Sequence, residues 1–523
     1  MPQPILIDSS SFSEIRRKGC VYVDKTAYLH RLASGSNARF FLARPRRFGK
    51  SLMISTLKAL FEGRRELFAG LAIEKTDWAW EKCPVMHFNF GFAAAPTDEE
   101  FSRSFPAAVR GAVEGAGGRY DSRETPSVNF GNAIDELSAT NDGKGVVVLI
   151  DEYDDPVARL LHKPDEAEAV RERLAGFYGQ MQDRTDKIRF LMITGVSKFT
   201  KMSVFSALSN LIDLSFMDDC ATMLGYTEEE LDAFFSEHLH AHAAIMGMDY
   251  GTYRAELKRW YNGYRFGRYS DATVYNPVSI GQNLAFPEPA LSNYWTTTGK
   301  ASMLMNFLRR EEYLAVDLDN VKGVDETDFD VTNIRNLRTV PMLFQTGYLT
   351  IDKYDPLTQA YDLRVPDEEV RQDLAKLTTA YMAQQGTEWV VSLAKKLLLA
   401  KWDEFFAGLK ALYAGLPYGS KEATVHEFAF ERVLVTLLRS QSIQCRVEDR
   451  QADGQADVVA GHPCGIYLFE LKVDESAESA LRQISKKGYA EPYRADGRPV
   501  WLVGLNFDRK TRQLTDAKAE KLG

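Results

Sequence analysis

The sequence predicts an α/β protein with an N-terminal parallel sheet, a helical middle region and a second α/β domain near the C-terminus. In the first third of the chain, short apolar segments alternate with amphipathic ones, which favours a parallel sheet covered by helices. From about Thr227 the apolar residues recur at helical spacing, and in the last part strand and helix patterns alternate again. We expect four segments: an α/β domain over 1–220, a helical lid-like region over 221–300, a mostly helical connecting region over 301–415 and an α/β domain over 416–523.

Composition narrows the class of protein. Of 523 residues, 45% are hydrophobic and 26% are charged, which is ordinary for folded domains. The formal net charge of -9 excludes a basic field over the whole molecule, so any contact with nucleic acid must use local patches. The five cysteines form no C-x-x-C pair, so neither a zinc site nor a disulfide framework is expected.

The same features predict a cytoplasmic protein with no membrane contact. Free thiols fit a reducing compartment. The N-terminus lacks a basic segment followed by an apolar run, so we do not expect a secretory signal. No uninterrupted apolar stretch approaches the ~18 residues of a membrane span.

The N-terminal strands are predicted from apolar runs, and an amphipathic helix at 51–61 follows the first of them. These runs lie at 38–42, 85–90, 145–152 and 188–194.

The loop after the first strand fits a phosphate-binding pattern. Residues 44–51 read Arg-Pro-Arg-Arg-Phe-Gly-Lys-Ser, which is the P-loop pattern G-x-x-x-x-G-K-[ST] with arginine at the first position. In such a loop Gly49 permits close approach of phosphate, Lys50 reaches the β and γ phosphates, and the Ser51 hydroxyl ligates Mg²⁺. The dipole of the following helix adds positive charge. We therefore predict a nucleoside triphosphate and Mg²⁺ as ligands, held by Arg44, Arg47, Gly49, Lys50 and Ser51.

The third strand ends in two acidic residues. Val146 to Ile150 is continuously apolar, as in a buried parallel strand, and Asp151 and Glu152 follow it. Asp151 then emerges beside the P-loop, where α/β sheets bind ligands, and we predict that it holds Mg²⁺. Glu152 is the predicted general base for the attacking water. Thr194 and Ser197, at the tip of the next strand, are candidates for contact with the γ-phosphate, although ordinary turn chemistry explains them equally well.

The middle of the chain carries structural signals. Thr227 and Glu230 form a capping box before Leu231. The aromatic and Gly-rich segment 260–276 is expected to be a structured turn. Residues 304–412 are predicted to be mostly helical.

The C-terminal domain brings acidic and basic residues to one strand face. Helices are predicted at 427–439 and 477–489, with strands around Gln444, Asp457 and Leu468 and at 500–505. Because strand side chains alternate, Glu470 and Lys472 point to one face and Leu471 to the core, and a neighbouring strand can place Asp457 beside them. Two carboxylates and a lysine can hold Mg²⁺ and activate water against a phosphodiester.

The helix after this strand adds polar residues on one side. Gln483, Lys486 and Lys487 recur at i+3 and i+4 spacing. Glu427, at the start of the preceding helix, is a candidate for a further carboxylate.

The N-terminal motifs resemble the bacterial AAA-ATPase-like family. The resemblance rests on residues 22–26 (YVDKT), the loop 44–51 with its leading arginine, and residues 149–156 (LIDEYDDP), together with 195–199, 260–264 and 274–277. It spans roughly residues 5–300 and implies ATP as the nucleotide. In that resemblance the YVDKT segment lies just before the nucleotide core, and a contact with the base is one hypothesis for it.

The C-terminal constellation resembles the PD-(D/E)XK nuclease superfamily, with its restriction-endonuclease-like α/β fold, over roughly residues 420–510. Asp457, Glu470 and Lys472 match the catalytic triad of that superfamily, and Gln483 with Tyr489 matches its helix motif. The resemblance implies a Mg²⁺-dependent nuclease in which Asp457 and Glu470 hold the metal, and Asp457, Glu470, Lys472 and Gln483 are catalytic.

Two functions follow from these resemblances. The first is an ATP-hydrolysing protein whose C-terminal domain cleaves nucleic acid, with DNA the favoured substrate. The second is a nucleotide-dependent switch whose tail binds nucleic acid or protein without cutting. The complete Asp457, Glu470 and Lys472 set favours cutting. Assembly into a homo-oligomer stays open.

Overall fold

The computed structural model describes residues 2–198, 210–286, 291–294, 315–329, 337–415, 427–447 and 456–523, although not the side chains of 427–429. The chain divides into two compact units. The N-terminal unit comprises residues 1–294 and 321–367, and the C-terminal unit comprises residues 295–320 and 368–523.

The N-terminal unit is built on a five-stranded parallel sheet in the order β2-β3-β4-β1-β5. Its strands are β1 (Arg39–Ala43), β2 (Val85–Asn89), β3 (Val146–Asp151), β4 (Ile188–Gly195) and β5 (Ile212–Asp213). Every residue of β3 is buried, as expected for a parallel strand covered on both faces. The predicted α/β class is confirmed, and the four predicted strands differ from the observed ones by one or two residues at their ends.

Helices cover this sheet and extend beyond it. They are α1 (Phe12–Arg17), α2 (Thr26–Ser34), α3 (Lys50–Phe61), α4 (Asp98–Gly115), α5 (Pro126–Thr140), α6 (Asp155–Ala158), α7 (Pro164–Gly179), α8 (Glu228–Ile245), α9 (Tyr250–Tyr261), α10 (Pro277–Ala285) and α11 (Thr339–Thr346). The predicted capping box is confirmed, because the Thr227 side chain accepts from the Glu230 N–H and the Glu230 carboxylate accepts from the Thr227 N–H. In the described part of the chain, no helix is long and apolar enough to cross a membrane.

The middle region is largely helical, with two small sheets. The predicted turn at 260–276 is a hairpin of β6 (Asn262–Arg265) and β7 (Thr273–Tyr275). The segment predicted to be mostly helical also contains an antiparallel sheet in the order β8-β10-β9. Its strands are β8 (Val321–Asp325), β9 (Thr350–Asp355) and β10 (Ala360–Arg364). This sheet packs on the hairpin: the Arg265 N–H donates to the Thr350 hydroxyl at 2.8 Å, and a Cβ at Gly263 would collide with the Pro366 carbonyl.

The C-terminal unit is built on a mixed sheet in the order β11-β12-β13-β14-β15, in which β13 and β14 run parallel and the other pairs antiparallel. Its strands are β11 (Gln444–Val447), β12 (Val458–His462), β13 (Gly465–Val473), β14 (Val500–Phe507) and β15 (Leu514–Lys521). Its helices are α12 (Glu368–Met382), α13 (Thr387–Leu398), α14 (Trp402–Ala414), α15 (Glu427–Arg439) and α16 (Ala477–Lys487).

Two apolar layers cover the two faces of this sheet. Leu471 packs with Leu434 of α15 in one layer, and Leu468 packs with Ile484 of α16 in the other. Leu471 therefore points into the core, as predicted. Strand β15, at the edge of the sheet, is mostly exposed, with Asp516, Lys518 and Glu520 along it.

A buried carboxylate in α12 predicts a pH-dependent stability of the C-terminal unit. Asp373 is 1% exposed, and neither of its carboxylate oxygens accepts a hydrogen bond within the described residues. Burial raises the pKa of Asp373 from 3.8 to about 7, against the opposing charge of Lys376. The pKa of Asp373 is higher in the folded state than in the unfolded state. Below pH 3.8 the carboxyl is protonated in both states, and its burial costs little folding free energy. As the pH rises toward 7 the unfolded state loses its proton first, so the folded state becomes less stable relative to it.

Asp373→Asn should therefore unfold at a higher temperature than the wild type at pH 8, and the gain should shrink at pH 5. The full shift sets an upper bound of about 4 kcal/mol on the gain, since one pKa unit corresponds to ~1.4 kcal/mol. Thermal unfolding at both pH values, with Asp403→Asn on α14 as control, measures it. An equal effect at pH 5 and pH 8 would contradict this origin.

Candidate functional site

The P-loop connects β1, which lies between β4 and β5 in the parallel sheet, to α3. Gly49 is the N-cap residue of α3 and has φ 88°, a left-handed conformation that glycine adopts without strain. Since an ideal Cβ at Gly49 would meet no atom within 4 Å, the backbone conformation rather than crowding requires glycine here. Ser51 lies half-buried in the first turn of α3. Residues 44–51 therefore have the strand–loop–helix structure that the sequence pattern predicted.

Lys50 is held inside the loop. Its side chain is buried, and its ammonium donates to the carbonyls of Arg44 and Pro45, each at 2.9 Å. Burial lowers the pKa of Lys50, while the carboxylates of Glu152 and Asp151 oppose that shift. The lysine thus lies between the loop carbonyls and the acidic end of β3, where a phosphate group can replace its carbonyl partners.

Arg44 and Arg47 occupy different surroundings. The Arg44 guanidinium is buried behind the loop, donates to the Ser215 carbonyl at 2.6 Å and stacks 4.2 Å from the centre of the Phe266 ring. The placement explains how arginine replaces the first glycine, because the side chain anchors the loop to the Ser215 and Cys220 carbonyls in the segment after β5. Arg47 has φ 68° and donates to the Tyr294 carbonyl at 2.5 Å.

The acidic residues after β3 lie beside β4. Asp151 is fully buried, and its Oδ1 accepts from the Thr194 hydroxyl at 2.7 Å. Its Oδ2 is also buried and accepts no hydrogen bond from any residue that the structure describes. A buried carboxylate oxygen without a donor is costly unless a cation binds it. Asp151 therefore fits the predicted role of Mg²⁺ ligand.

Glu152 is held in an unusual backbone conformation. Its φ is 53°, in the left-handed region that residues with a side chain rarely adopt. The carboxylate lies so close to Gly91 that a Cβ at position 91 would collide with Oε2. Burial raises the pKa of Glu152, and the charge of Lys50 partly offsets this shift. A raised pKa makes the carboxylate a better proton acceptor.

The candidate γ-phosphate contacts have protein partners. Thr194 donates to Asp151, whereas the Ser197 N–H and hydroxyl both bind the Asp154 carboxylate, the N–H at 2.8 Å. The buried Asp154 carboxylate therefore fixes the turn after β4. The YVDKT segment is also tied to protein groups, because the Lys25 ammonium donates to the Thr222 carbonyl and to the Glu230 carboxylate, each at 2.7 Å.

In the C-terminal unit, Asp457 immediately precedes β12, and Glu470 lies on the adjacent strand β13. β12 and β13 pair Val458 with Phe469, and the same register places Asp457 opposite Glu470. Directly opposed residues of antiparallel strands share one face. The Asp457 carboxylate also accepts from the Leu471 N–H at 2.6 Å, which holds it against β13. The two strands therefore bring the predicted carboxylates together.

Glu470 is 1% exposed and is the centre of this cluster. Its Oε1 accepts from the Lys472 ammonium at 3.1 Å and from the Gln483 amide of α16. Its Oε2 is buried and accepts no hydrogen bond within the described residues. Burial, and to a smaller extent the charge of Asp457, raises the pKa of Glu470 to about 7. A divalent cation near Oε2 would offset the free-energy cost of burying the ionised Glu470 carboxylate.

The ligand set suits a hard cation that keeps several waters. Among the described residues, no group of three or more His, Cys, Asp or Glu side chains is arranged to hold a metal ion. Two carboxylates plus water are typical of Mg²⁺ sites. The Glu427 side chain lies outside the described residues.

Helix α16 ends at Lys487, before the predicted residue 489, because Gly488 terminates it in a left-handed conformation. Lys486 and Lys487 are exposed at this end.

Comparison with known proteins finds a family match in each of the two regions that carry a candidate site. Residues 5–205 match the family described as predicted AAA-ATPase, and residues 425–517 match the PD-(D/E)XK nuclease superfamily. The chain is also 32% identical over 531 residues to a protein of Azotobacter chroococcum mcd 1 described as "Uncharacterized protein in vnfD 5'region", and the alignment covers 99% of each chain. The chain therefore belongs to the AAA-ATPase-like family, and its C-terminal region is a PD-(D/E)XK nuclease superfamily domain.

Proposed function

We propose that the N-terminal unit binds and hydrolyses ATP and that the C-terminal unit is a Mg²⁺-dependent nuclease acting on DNA. One observation carries both assignments: each site contains a buried carboxylate oxygen, Asp151 Oδ2 and Glu470 Oε2, that accepts no hydrogen bond within the described residues. Each lies where the sequence pattern predicts a Mg²⁺ ligand. Asp373 shows that a buried carboxylate oxygen without a hydrogen bond does not by itself indicate a metal. The support comes from the coincidence of Asp151 Oδ2 and Glu470 Oε2 with the two predicted Mg²⁺ positions, where a cation would offset the cost of burial.

In the N-terminal unit each side chain has a separate role in ATP hydrolysis. Lys50 binds the β and γ phosphates, and the α3 N-terminus adds its positive dipole. Glu152 orients a water molecule and takes its proton as the water attacks the γ-phosphorus. Mg²⁺, held by Ser51 and Asp151, would neutralise phosphate charge.

In the C-terminal unit, four residues act together on one phosphodiester: Asp457, Glu470, Lys472 and Gln483. Lys472 offers positive charge to the attacked phosphate, where negative charge develops in the transition state. Gln483 keeps Glu470 in place through its amide contact. Mg²⁺, held by Asp457 and Glu470, would lower the pKa of bound water. The exposed Lys486 and Lys487 supply a local basic patch for the nucleic-acid backbone despite the acidic whole chain.

Cleavage assays test the nuclease assignment directly. Purified protein is incubated with supercoiled plasmid, linear duplex, single-stranded DNA and RNA, with Mg²⁺ or Mn²⁺ and with or without ATP. Mg²⁺-dependent cleavage of DNA supports the proposal, whereas cleavage of RNA alone reassigns the substrate. If no substrate is cut under any condition, the tail is a binding module and the protein acts as a nucleotide-dependent switch.

Replacing Glu152 by glutamine should separate ATP binding from turnover. We expect ATP affinity within a few-fold of wild type, because Lys50 and Asp151 remain. We expect the rate of phosphate release to fall by ~10²–10⁴-fold, the range for loss of a general base. Fluorescent-nucleotide binding and phosphate-release assays measure the two quantities. The control is Glu136→Gln, which removes a carboxylate on α5 that pairs with Arg119 at 3.2 Å. A normal rate of hydrolysis by Glu152→Gln would place the base elsewhere.

A further inference from the structure

Arg46 is a cation on the P-loop for which the P-loop sequence pattern specifies no role. Its Nη2 donates to Asp155 Oδ1 at 2.7 Å, and the arginine side chain is 37% exposed whereas that of Asp155 is 4% exposed. Asp155 begins α6, four residues after Asp151. The ion pair therefore joins the P-loop to the segment that carries the predicted general base.

Arg46 lies on the chain near both predicted catalytic groups. It precedes Lys50 by four residues on the same loop, and its partner Asp155 follows Glu152 by three residues. The γ-phosphate is expected between Lys50 and the water that Glu152 orients, which places Arg46 near the position where negative charge develops.

Asp155 has a second cationic partner. The Arg159 Nε donates to Asp155 Oδ2 at 2.7 Å. If Arg46 leaves, the buried carboxylate therefore keeps one charged hydrogen-bond partner, which avoids the large cost of an unpaired buried charge. The other two arginines of the loop donate instead to backbone carbonyls: Arg44 is buried against the Ser215 carbonyl and Arg47 binds the Tyr294 carbonyl.

We propose that Arg46 is a catalytic residue for ATP hydrolysis, which leaves Asp155 and donates to γ-phosphate oxygens in the transition state. The inference rests on the proposed ATPase function. In the step it assists, the water oxygen bonds to the γ-phosphorus, the bond from that phosphorus to the β–γ bridging oxygen breaks, and Glu152 takes the water proton. The products are ADP and inorganic phosphate. Arginines that supply such charge contribute ~10³–10⁵-fold in rate in related chemistry.

The test compares ground-state and transition-state binding. For Arg46→Ala, we expect the rate of hydrolysis to fall by at least ~100-fold, while the affinities for ATP and ADP stay within about threefold of wild type. The affinity for ADP with aluminium fluoride, which imitates the transferring phosphoryl group, should fall with the rate. Arg46→Lys should recover only part of the rate, because it restores the charge without the planar pair of donors.

Asp155→Asn distinguishes this role from a structural ion pair. It weakens the same contact but leaves the guanidinium, so its hydrolysis rate should exceed that of Arg46→Ala at least ~10-fold if Arg46 acts on phosphate. Equal losses in the two variants would overturn the proposal, as would an unchanged rate in Arg46→Ala. If the alanine variant does not fold, Arg46→Gln gives the same comparison.

Arg173→Ala is the matched control, because Arg173 is 36% exposed and pairs with Asp98 between α7 and α4. It should hydrolyse ATP normally. Absence of ATP hydrolysis by the wild-type protein would refute the proposed ATPase function and this inference together, whereas wild-type hydrolysis with an active Arg46→Ala refutes the inference alone.

Discussion

Replacing Lys50 by alanine should abolish measurable ATP binding, with a dissociation constant roughly 30- to 4,000-fold above that of the wild type. Lys50 is buried in the loop, and both of its observed acceptors are loop carbonyls that a phosphate chain can replace. Truncating one partner of a buried, hydrogen-bonded charge pair typically costs ~2–5 kcal/mol, or roughly 30- to 4,000-fold in affinity. The remaining dipole of α3 is too weak to compensate, since it contributes up to ~2 kcal/mol.

Calorimetric titration with a non-hydrolysable ATP analogue and Mg²⁺ measures this effect. Lys58→Ala is the control, because Lys58 lies on the same helix but is 41% exposed and contacts only Glu62, at 3.9 Å, among the salt bridges of the described residues. A thermal melt in the absence of nucleotide shows whether the loop variant is folded. Near wild-type affinity in a folded Lys50→Ala protein would refute the assignment of this loop.

Loss of Asp457 or Lys472 should eliminate Mg²⁺-dependent DNA cleavage and leave ATP hydrolysis largely intact. Asp457 lies opposite Glu470 in the β12–β13 register, and one carboxylate alone holds Mg²⁺ weakly because the ion keeps its waters. Asp457→Ala should therefore reduce cleavage below detection. Lys472→Ala should reduce the cleavage rate by ~10²–10³-fold with a smaller effect on DNA affinity, because its charge acts in the transition state.

Asp457 also accepts from the Leu471 N–H, so Asp457→Asn is the conservative second variant that retains an acceptor for this bond. The controls are Asp474→Asn, which changes an exposed acid just beyond β13, and Lys518→Ala on β15. Plasmid nicking and phosphate release are measured on the same preparations. Cleavage that survives both Asp457→Ala and Lys472→Ala would come from another site or from a contaminant.

Local sequence patterns predicted much of the N-terminal fold and the position of its site. The continuous apolar run of β3 ends at Asp151, and parallel strands share one edge, so the pattern alone placed Asp151 near the P-loop. The G-K-S pattern predicted a turn from loop to helix at Gly49 and Lys50, and the structure has α3 begin at Lys50 with Gly49 as its N-cap.

Pairings between distant segments were not predictable in the same way. The Arg46 and Asp155 pair joins residues 109 positions apart, and the Arg44 contact with Ser215 spans 171 positions, so no local pattern indicates either. The β8-β10-β9 sheet was missed because its strands are short and carry many polar residues. In β10 the buried Tyr361 and Leu363 do alternate with more exposed neighbours, which is the signal that was available.

The exposed edge strand β15 has a consequence for self-association. Its alternating acidic and basic side chains at Asp516, Lys518 and Glu520 make it a poor template for pairing with a strand of another molecule. The strand that it covers, β14, is almost wholly apolar and buried. Removing residues 514–521 would therefore expose the unpaired, apolar edge of β14 to other molecules. We expect this to favour aggregation before it disturbs the carboxylates of Asp457 and Glu470.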